Sequence, residues 1–158
     1  TLYENAFSLE NSDLVFENNT IYFSNNKNEF YSIDARTGGV KWAQSINSSL
    51  RPTIIENLIF TVSNEGYLFI IDDPTGNIIR ITDVLKNFKD KHEIKPIGFI
   101  HAKNKIYVSL SNGRLVTINS STGTQENIKK INNSKISRPY ILNNTMYLIK
   151  DNALAKIE

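Results

Sequence analysis

Short β-branched and aromatic runs alternate along the whole chain with turns rich in Asn, Gly and Asp. Such runs, bounded by turn residues, predict antiparallel strands. They recur in a fixed order. Strand a falls at residues 14–17, 53–55, 97–100 and 140–142, and strand b at 21–24, 58–63, 106–110 and 146–149. Between a and b stands a turn bearing asparagine: Asn18-Asn19, Asn57, Lys103-Asn104 and Asn143-Asn144. Asparagine tolerates the left-handed backbone that tight hairpins need. A second turn, Asn64-Glu65-Gly66, Ser111-Asn112-Gly113 or Lys150-Asp151-Asn152, leads into strand c, which ends at Asp34, Asp72, Asn119 or Glu158. A Thr-Gly turn then opens strand d, as in Thr37-Gly38, Thr75-Gly76 and Thr122-Gly123.

The repeat length narrows the fold. Gly38 to Gly76 is 38 residues and Gly76 to Gly123 is 47. Six of the extra nine lie between Gly76 and Pro96 (20 residues, against 14 from Gly38 to Pro52), and three between Pro96 and Gly123 (27 against 24 from Pro52 to Gly76). Four strands in roughly 40 residues is the period of a β-propeller blade. A lone four-stranded sheet cannot cover both its faces, so blades must stack. The expected fold is all-β: a partial propeller over residues 1–158, with 1–9 as strand d of a neighbouring blade, blades at 14–48, 52–84 and 96–131, and an incomplete blade at 139–158. The smaller insertion is expected in the a–b turn of the third repeat. The larger falls within 82–92. There Thr82 or Asp83 would cap a short helix with Val84, Leu85 and Phe88 on one side, but a surface loop pinned by Leu85 and Phe88 is the preferred reading.

Composition removes several function classes. The 158 residues carry 18 basic and 16 acidic side chains, a net charge of +2, too near neutral to indicate a nucleic-acid partner. Zero cysteines removes disulfides, thiolate catalysis and Cys-based zinc sites together. No apolar run is long enough to span a bilayer as a helix. The chain opens at Thr1 with no signal peptide, which reads as a mature or trimmed piece.

No catalytic constellation stands out, and no catalytic, cofactor-binding or metal-binding residue is assigned. His92 and His101 are the only histidines and lack an acidic cluster at ligand spacing. Thr37-Gly38-Gly39 is a hairpin turn rather than a phosphate loop. Ser48-Ser49 and Ser120-Ser121 are turn serines with no histidine at a repeated offset. One feature does repeat: Arg51-Pro52, Lys95-Pro96 and Arg138-Pro139 each put a cation before a proline at the start of strand a. The proline suits an extended start outside the ladder. Strand a is innermost in a propeller, so Arg51, Lys95 and Arg138 are expected at one mouth of the central channel. They form the candidate partner-binding set, a cationic ring for an acidic peptide or carboxylate. The competing reading, that each cation simply meets solvent or a local carboxylate, is preferred at this level.

Residues 30–42 resemble the pyrroloquinoline-quinone (PQQ) enzyme repeat. Tyr31, Ile33, Asp34, Thr37, Gly38 and Trp42 match its pattern, and Ser32 stands where the family has alanine. The resemblance implies that Trp42 docks between adjacent blades and is largely buried. Arg80 and Asn127 occupy the corresponding later places, which implies less regular stacking. It also implies a structural role for Asp34 and Asp72, accepting backbone hydrogen bonds from the Thr-Gly turn. Quinone-dependent members use a tryptophan platform, calcium and usually a vicinal cysteine pair. This chain has no cysteine and a single tryptophan. The weak tryptophan usage is more similar to BamB, the propeller lipoprotein of the outer-membrane β-barrel assembly machinery, and residues 138–152 resemble its last blade, which implies that the chain is its C-terminal half. That resemblance implies a non-catalytic scaffold with no cofactor. It would be periplasmic and outer-membrane-associated, and would bind assembly components or unfolded client strands. The alternatives are a fragment of a PQQ-dependent dehydrogenase and a sensory ectodomain of a membrane protein. The repeats of the family resemble those of eight-bladed rings, so two copies of this chain would supply one ring.

Overall fold

The computed structural model describes residues 8–157. The expected strand over residues 1–9 therefore lies outside the described residues apart from Ser8 and Leu9, which are in no strand, and so does the expected strand end at Glu158. Fifteen strands follow in chain order. The first sheet holds β1 (Val15–Glu17), β2 (Thr20–Asn25), β3 (Glu29–Asp34) and β4 (Val40–Gln44). The second holds β5 (Thr53–Ile55), β6 (Leu58–Val62), β7 (Tyr67–Asp72) and β8 (Ile78–Asp83). The third holds β9 (Pro96–Ala102), β10 (Lys105–Leu110), β11 (Arg114–Asn119) and β12 (Gln125–Lys130). The fourth has three described strands, β13 (Tyr140–Leu142), β14 (Thr145–Lys150) and β15 (Ala153–Ile157). Every pairing within a sheet is antiparallel and joins sequence neighbours, which is the up-and-down order of propeller blades. No helix among the described residues is long and apolar enough to cross a membrane.

The turns explain why these runs pair as they do. Asn18-Asn19, Lys103-Asn104 and Asn143-Asn144 all have positive φ at both positions, as does Asp151-Asn152, so these hairpins turn with the twist of their strands. The second sheet differs: its turn places Glu56 at φ +54, while Asn57 is not left-handed. Glycine meets the same demand at the c–d turns, with Gly38, Gly76 and Gly123 at φ +71, +74 and +74. Each c–d pairing also slips by one residue, leaving Lys41, Ile79 and Glu126 as the extra residue of strand d.

The two insertions differ in outcome, the smaller needing correction and the larger not. The three extra residues of the third repeat are not in its a–b turn, since Glu56-Asn57 and Lys103-Asn104 are both two-residue loops. They lengthen strand a itself: β9 has seven residues and β5 has three. A bulge at Ile97 absorbs the misfit, since Gly98 pairs with Ser109 but Pro96 with Leu110. In the larger insertion, no α-helix follows Thr82 or Asp83. A single turn does, with the Leu85 N–H donating to Asp83 Oδ1 at 2.8 Å, and then a 3₁₀ turn at Lys91–Glu93. Leu85 is buried and Phe88 packs against the same core, so the loop is pinned as the preferred reading states.

The core lies between sheets. Cross-strand register assigns each residue to a face. The leading face of the first sheet carries Val15, Tyr22, Ser32 and Trp42, opposite one another in one row. The same row is Thr53, Phe60, Ile70 and Arg80 in the second sheet, and Ile100, Tyr107, Thr117 and Asn127 in the third. In the fourth it is Tyr140, Tyr147 and Lys156. The trailing face of the second sheet presents Ile59 and Ile71, both fully buried in one cluster with Tyr22, Phe30 and Trp42. A larger cluster joins the second and third sheets through Phe60, Ile70, Ile106 and Ile118, with Val84 and Leu85 of the insertion under it.

Candidate functional site

The stacking contacts are the most specific side-chain arrangements in the chain. The Trp42 indole lies parallel to Phe30 at 5.8 Å and tilted to Tyr22 at 6.5 Å, and its Nε1 donates to the Asp73 carbonyl at 2.7 Å. Tyr22 donates its hydroxyl to Asp73 Oδ1 at 2.7 Å, and Gln44 Nε2 donates to the Gly76 carbonyl at 2.6 Å. Burial first, and the Asp73 carboxylate second, push the Tyr22 hydroxyl well above the usual tyrosine range. A Cβ on Gly76 would stand 2.6 Å from the indole, so this glycine is required by space as well as by φ. Trp42 thus docks between the first two sheets, partly buried on the outer edge strand of its sheet.

One sheet later Arg80 takes the tryptophan's place. Its stem would meet a Cβ on Gly123 at 2.6 Å, and its Nη1 donates to the carbonyls of Ser121 and, at 3.5 Å, Ser120. Both side chains therefore bond to the carbonyls of the next c–d turn. Asn127, third in the series, faces a sheet with no described c–d turn. It lines an open cleft of about 390 Å³ between the third and fourth sheets with Tyr107, Met146 and Ile157. His101 packs tilted on Phe60 at 5.0 Å between the second and third sheets, and burial there holds its imidazole below the usual histidine range.

The c–d turns carry a repeated polar device. Asp34 Oδ1 accepts from the N–H groups of Arg36 and Thr37, at 2.9 and 3.1 Å. Asp72 accepts from Thr75, and Asn119 from Ser121 and Thr122. The aspartates of the repeat thus serve the turn. Among the described residues, no three His, Cys, Asp or Glu side chains are grouped to hold a metal.

The cations of the basic-Pro pattern separate. Arg51 and Arg138 line one recess of about 200 Å³ together with Asp13, Gly98 and Phe99, so strand a of the third sheet and the segments leading into strand a of the other three contribute to it. Lys95 does not line it. Its backbone pairs with Ser111 at the b–c turn of its own sheet, and its side chain borders another hollow with Asp83, Lys91 and His92. The reason is register. Arg51 and Arg138 each stand two residues before the strand-a member of the leading-face row, at Thr53 and Tyr140. In the lengthened β9 that position belongs to Gly98, two before Ile100, and in the first sheet to Asp13, two before Val15. Sequence reasoning missed Asp13 and Gly98. The signal for them was present only as the three-residue length difference.

A stacked series of four-stranded antiparallel sheets, joined through a strand-d side chain that reaches the next Thr-Gly turn, defines the class of PQQ-like β-propeller repeat proteins. A family model described as outer membrane protein assembly factor BamB matches residues 4–82, half of the 158 residues, and the chain belongs to that family. No curated protein sequence matches the chain. Among solved structures, BamB from Moraxella catarrhalis is similar with a TM-score of 0.73 and 14% identity, over 92% of this chain and 41% of that one. The chain thus spans about two fifths of that protein. A computationally designed protein, Ika4, is similar with a TM-score of 0.74 and 13% identity, over 91% of this chain and 88% of that one. The quinohemoprotein alcohol dehydrogenase of Comamonas testosteroni is similar with a TM-score of 0.63 and 15% identity, over 75% of this chain and 20% of that one. At these identities the likenesses bear on the fold.

Proposed function

We propose that the chain is a non-catalytic binding scaffold, one partial propeller over residues 1–158. It works as part of outer-membrane β-barrel assembly, in the periplasm at the outer membrane. The observation that carries this reading is the family match, whose description is an outer-membrane assembly factor. Its partners are proteins: components of the assembly machinery or the unfolded strands of its clients. Free outer edges of β4, β8 and β12 suit extended clients, because backbone hydrogen bonds pair without reading sequence. Of the three, β8 carries exposed Ile79 and Ile81, whereas β12 carries Glu126, Lys129 and Lys130. Self-association into an eight-bladed ring belongs to the same proposal.

A quinone-dependent enzyme is the rival. The sole tryptophan is committed to the stacking of the first two sheets and the chain has no cysteine, which supports the scaffold over the dehydrogenase. The test pairs two measurements on the purified chain. Co-elution with the periplasmic domains of the barrel-assembly machinery of its own organism is expected, and dye reduction after loading with quinone and calcium is not. Failure to bind those domains, or measurable turnover, overturns the proposal.

A further inference from the structure

The recess where the four strands a begin has a composition that repeat geometry does not require. Its four register-equivalent positions hold Asp13, Arg51, Gly98 and Arg138. Gly98 makes room for one of the arginines: a Cβ there would stand 2.6 Å from Arg138 Cβ and 2.9 Å from its Cγ. Arg138 is held in place. Its Nε donates to the Phe99 carbonyl at 3.1 Å, and its guanidinium carbon lies 5.8 Å from the centroid of the Tyr140 ring. One of its five N–H donors is thereby used, and four remain. Arg51, exposed on the other side, makes no hydrogen bond or ion pair among the described residues. Leu50, Ile97 and Phe99 supply apolar wall between the two cations.

We propose that this recess is a binding site for a single carboxylate on an extended peptide, held between Arg51 and Arg138. Guanidinium groups match carboxylates in a fixed fork geometry, and the apolar wall strengthens the attraction by excluding water. A volume of about 200 Å³ admits a carboxylate and the methylenes that carry it. It is smaller than the ~300 Å³ or more of pockets for drug-sized ligands. Asp13 on the rim repels a second negative charge, so polyanions are disfavoured. The site rests on the scaffold reading only for the ligand being a peptide.

The test is titration of the full chain with three labelled extended peptides, followed by fluorescence anisotropy. One carries a single Glu and an amidated end, one carries Gln and a free C-terminal carboxylate, and one carries Gln and an amidated end. Binding of the first assigns a side-chain carboxylate, binding of the second a chain terminus, and the third is expected not to bind. Arg51→Gln and Arg138→Gln should each weaken binding about tenfold, the scale of one lost charge-assisted hydrogen bond. Lys95→Gln should leave it unchanged, although the sequence pattern groups Lys95 with the two arginines. Asp13→Asn should tighten it. Arg51 is exposed, so its variant keeps the test valid if Arg138→Gln lowers the melting temperature. Absence of binding by both carboxylate peptides overturns the site. So does equal weakening by Lys95→Gln, which would reveal diffuse charge attraction. Peptide binding without co-elution with the assembly domains would retain the site and remove the scaffold role.

Discussion

Trp42 and Arg80 stand at one register position of successive sheets, and each donates to a backbone carbonyl of the following c–d turn. A tryptophan and an arginine share what that position needs: a long side chain that lies over a glycine and ends in an N–H donor. The glycine is then fixed twice, once by its left-handed φ and once by the ring or stem above it. Trp42→Ala removes the stack on Phe30 and leaves the Asp73 carbonyl without its donor. For a half-buried aromatic the expected loss is about 3 kcal/mol, the lower end of large-to-small core substitutions. Trp42→Arg, which copies the next sheet, should lose clearly less. Urea melts followed by circular dichroism compare the two, and equal losses would show that the position needs only the aromatic ring. The sole tryptophan also makes intrinsic fluorescence a reporter of the first two sheets alone. Red-shifted emission that is readily quenched in the native chain would contradict the docked position.

At the scale of an element, the c–d turn shows what the aspartate of the repeat does. The N–H groups of Arg36 first, then Thr37, hold the Asp34 carboxyl below the usual carboxylate range. A carboxyl depressed in the folded state stabilises the fold above its unfolded value, and that contribution is lost as pH falls through the folded value. Asn119 makes the same two turn bonds with a neutral amide. Asp34→Asn should therefore keep the turn and flatten the acid limb of a melting-temperature profile, leaving the neutral region unchanged. Parallel profiles for the two proteins would remove Asp34 from the acid response. The same element scale shows what could be read from the chain. Strands b, c and d were legible because apolar alternation and Thr-Gly or Asn turns are local signals, as at Tyr67–Asp72 between Gly66 and Thr75-Gly76. Strand a of the third repeat was not. Its proline matches Pro52, but the ladder counts back from the turn at Lys103-Asn104, and a bulge at Ile97 separates the proline from the register. Lys95 was placed with Arg51 and Arg138 for that reason. The two arginines were legible because β5 and β13 have equal length, three residues each. Asp13 and Gly98 carry no local signal of sharing their position.

Across the whole molecule, three interfaces between sheets use a leading face against a trailing face, and two such faces have no described partner. The trailing face of the first sheet presents Leu14 and Phe16, each 66% exposed. At the same register as Phe16 and Ile21, the second sheet has Ile54 and the fully buried Ile59. The leading face of the fourth sheet presents Tyr140, Leu142, Ile149 and Leu154, the last 72% exposed. Leu154 occupies the register of Phe30, which is fully buried in the first sheet. Each open face thus has the apolar pattern that a neighbouring sheet covers elsewhere in the chain, and the two are complementary in sense. A patch of this kind on a protein surface signals association. A further PQQ-like sheet fits either face, and a second copy of the chain presents both. Two copies related by a twofold axis would join leading face to trailing face twice and close a ring of eight sheets, a closed symmetry of the commonest kind. The expected outcome is a dimer mass by light scattering at micromolar concentration. Phe16→Asp or Leu154→Asp should shift the chain to monomer with little loss of melting temperature beyond that of the lost association, since both side chains are exposed in the single chain. A sharp monomer mass for the unmodified chain, or a dimer indifferent to both substitutions, would refute the face-to-face ring.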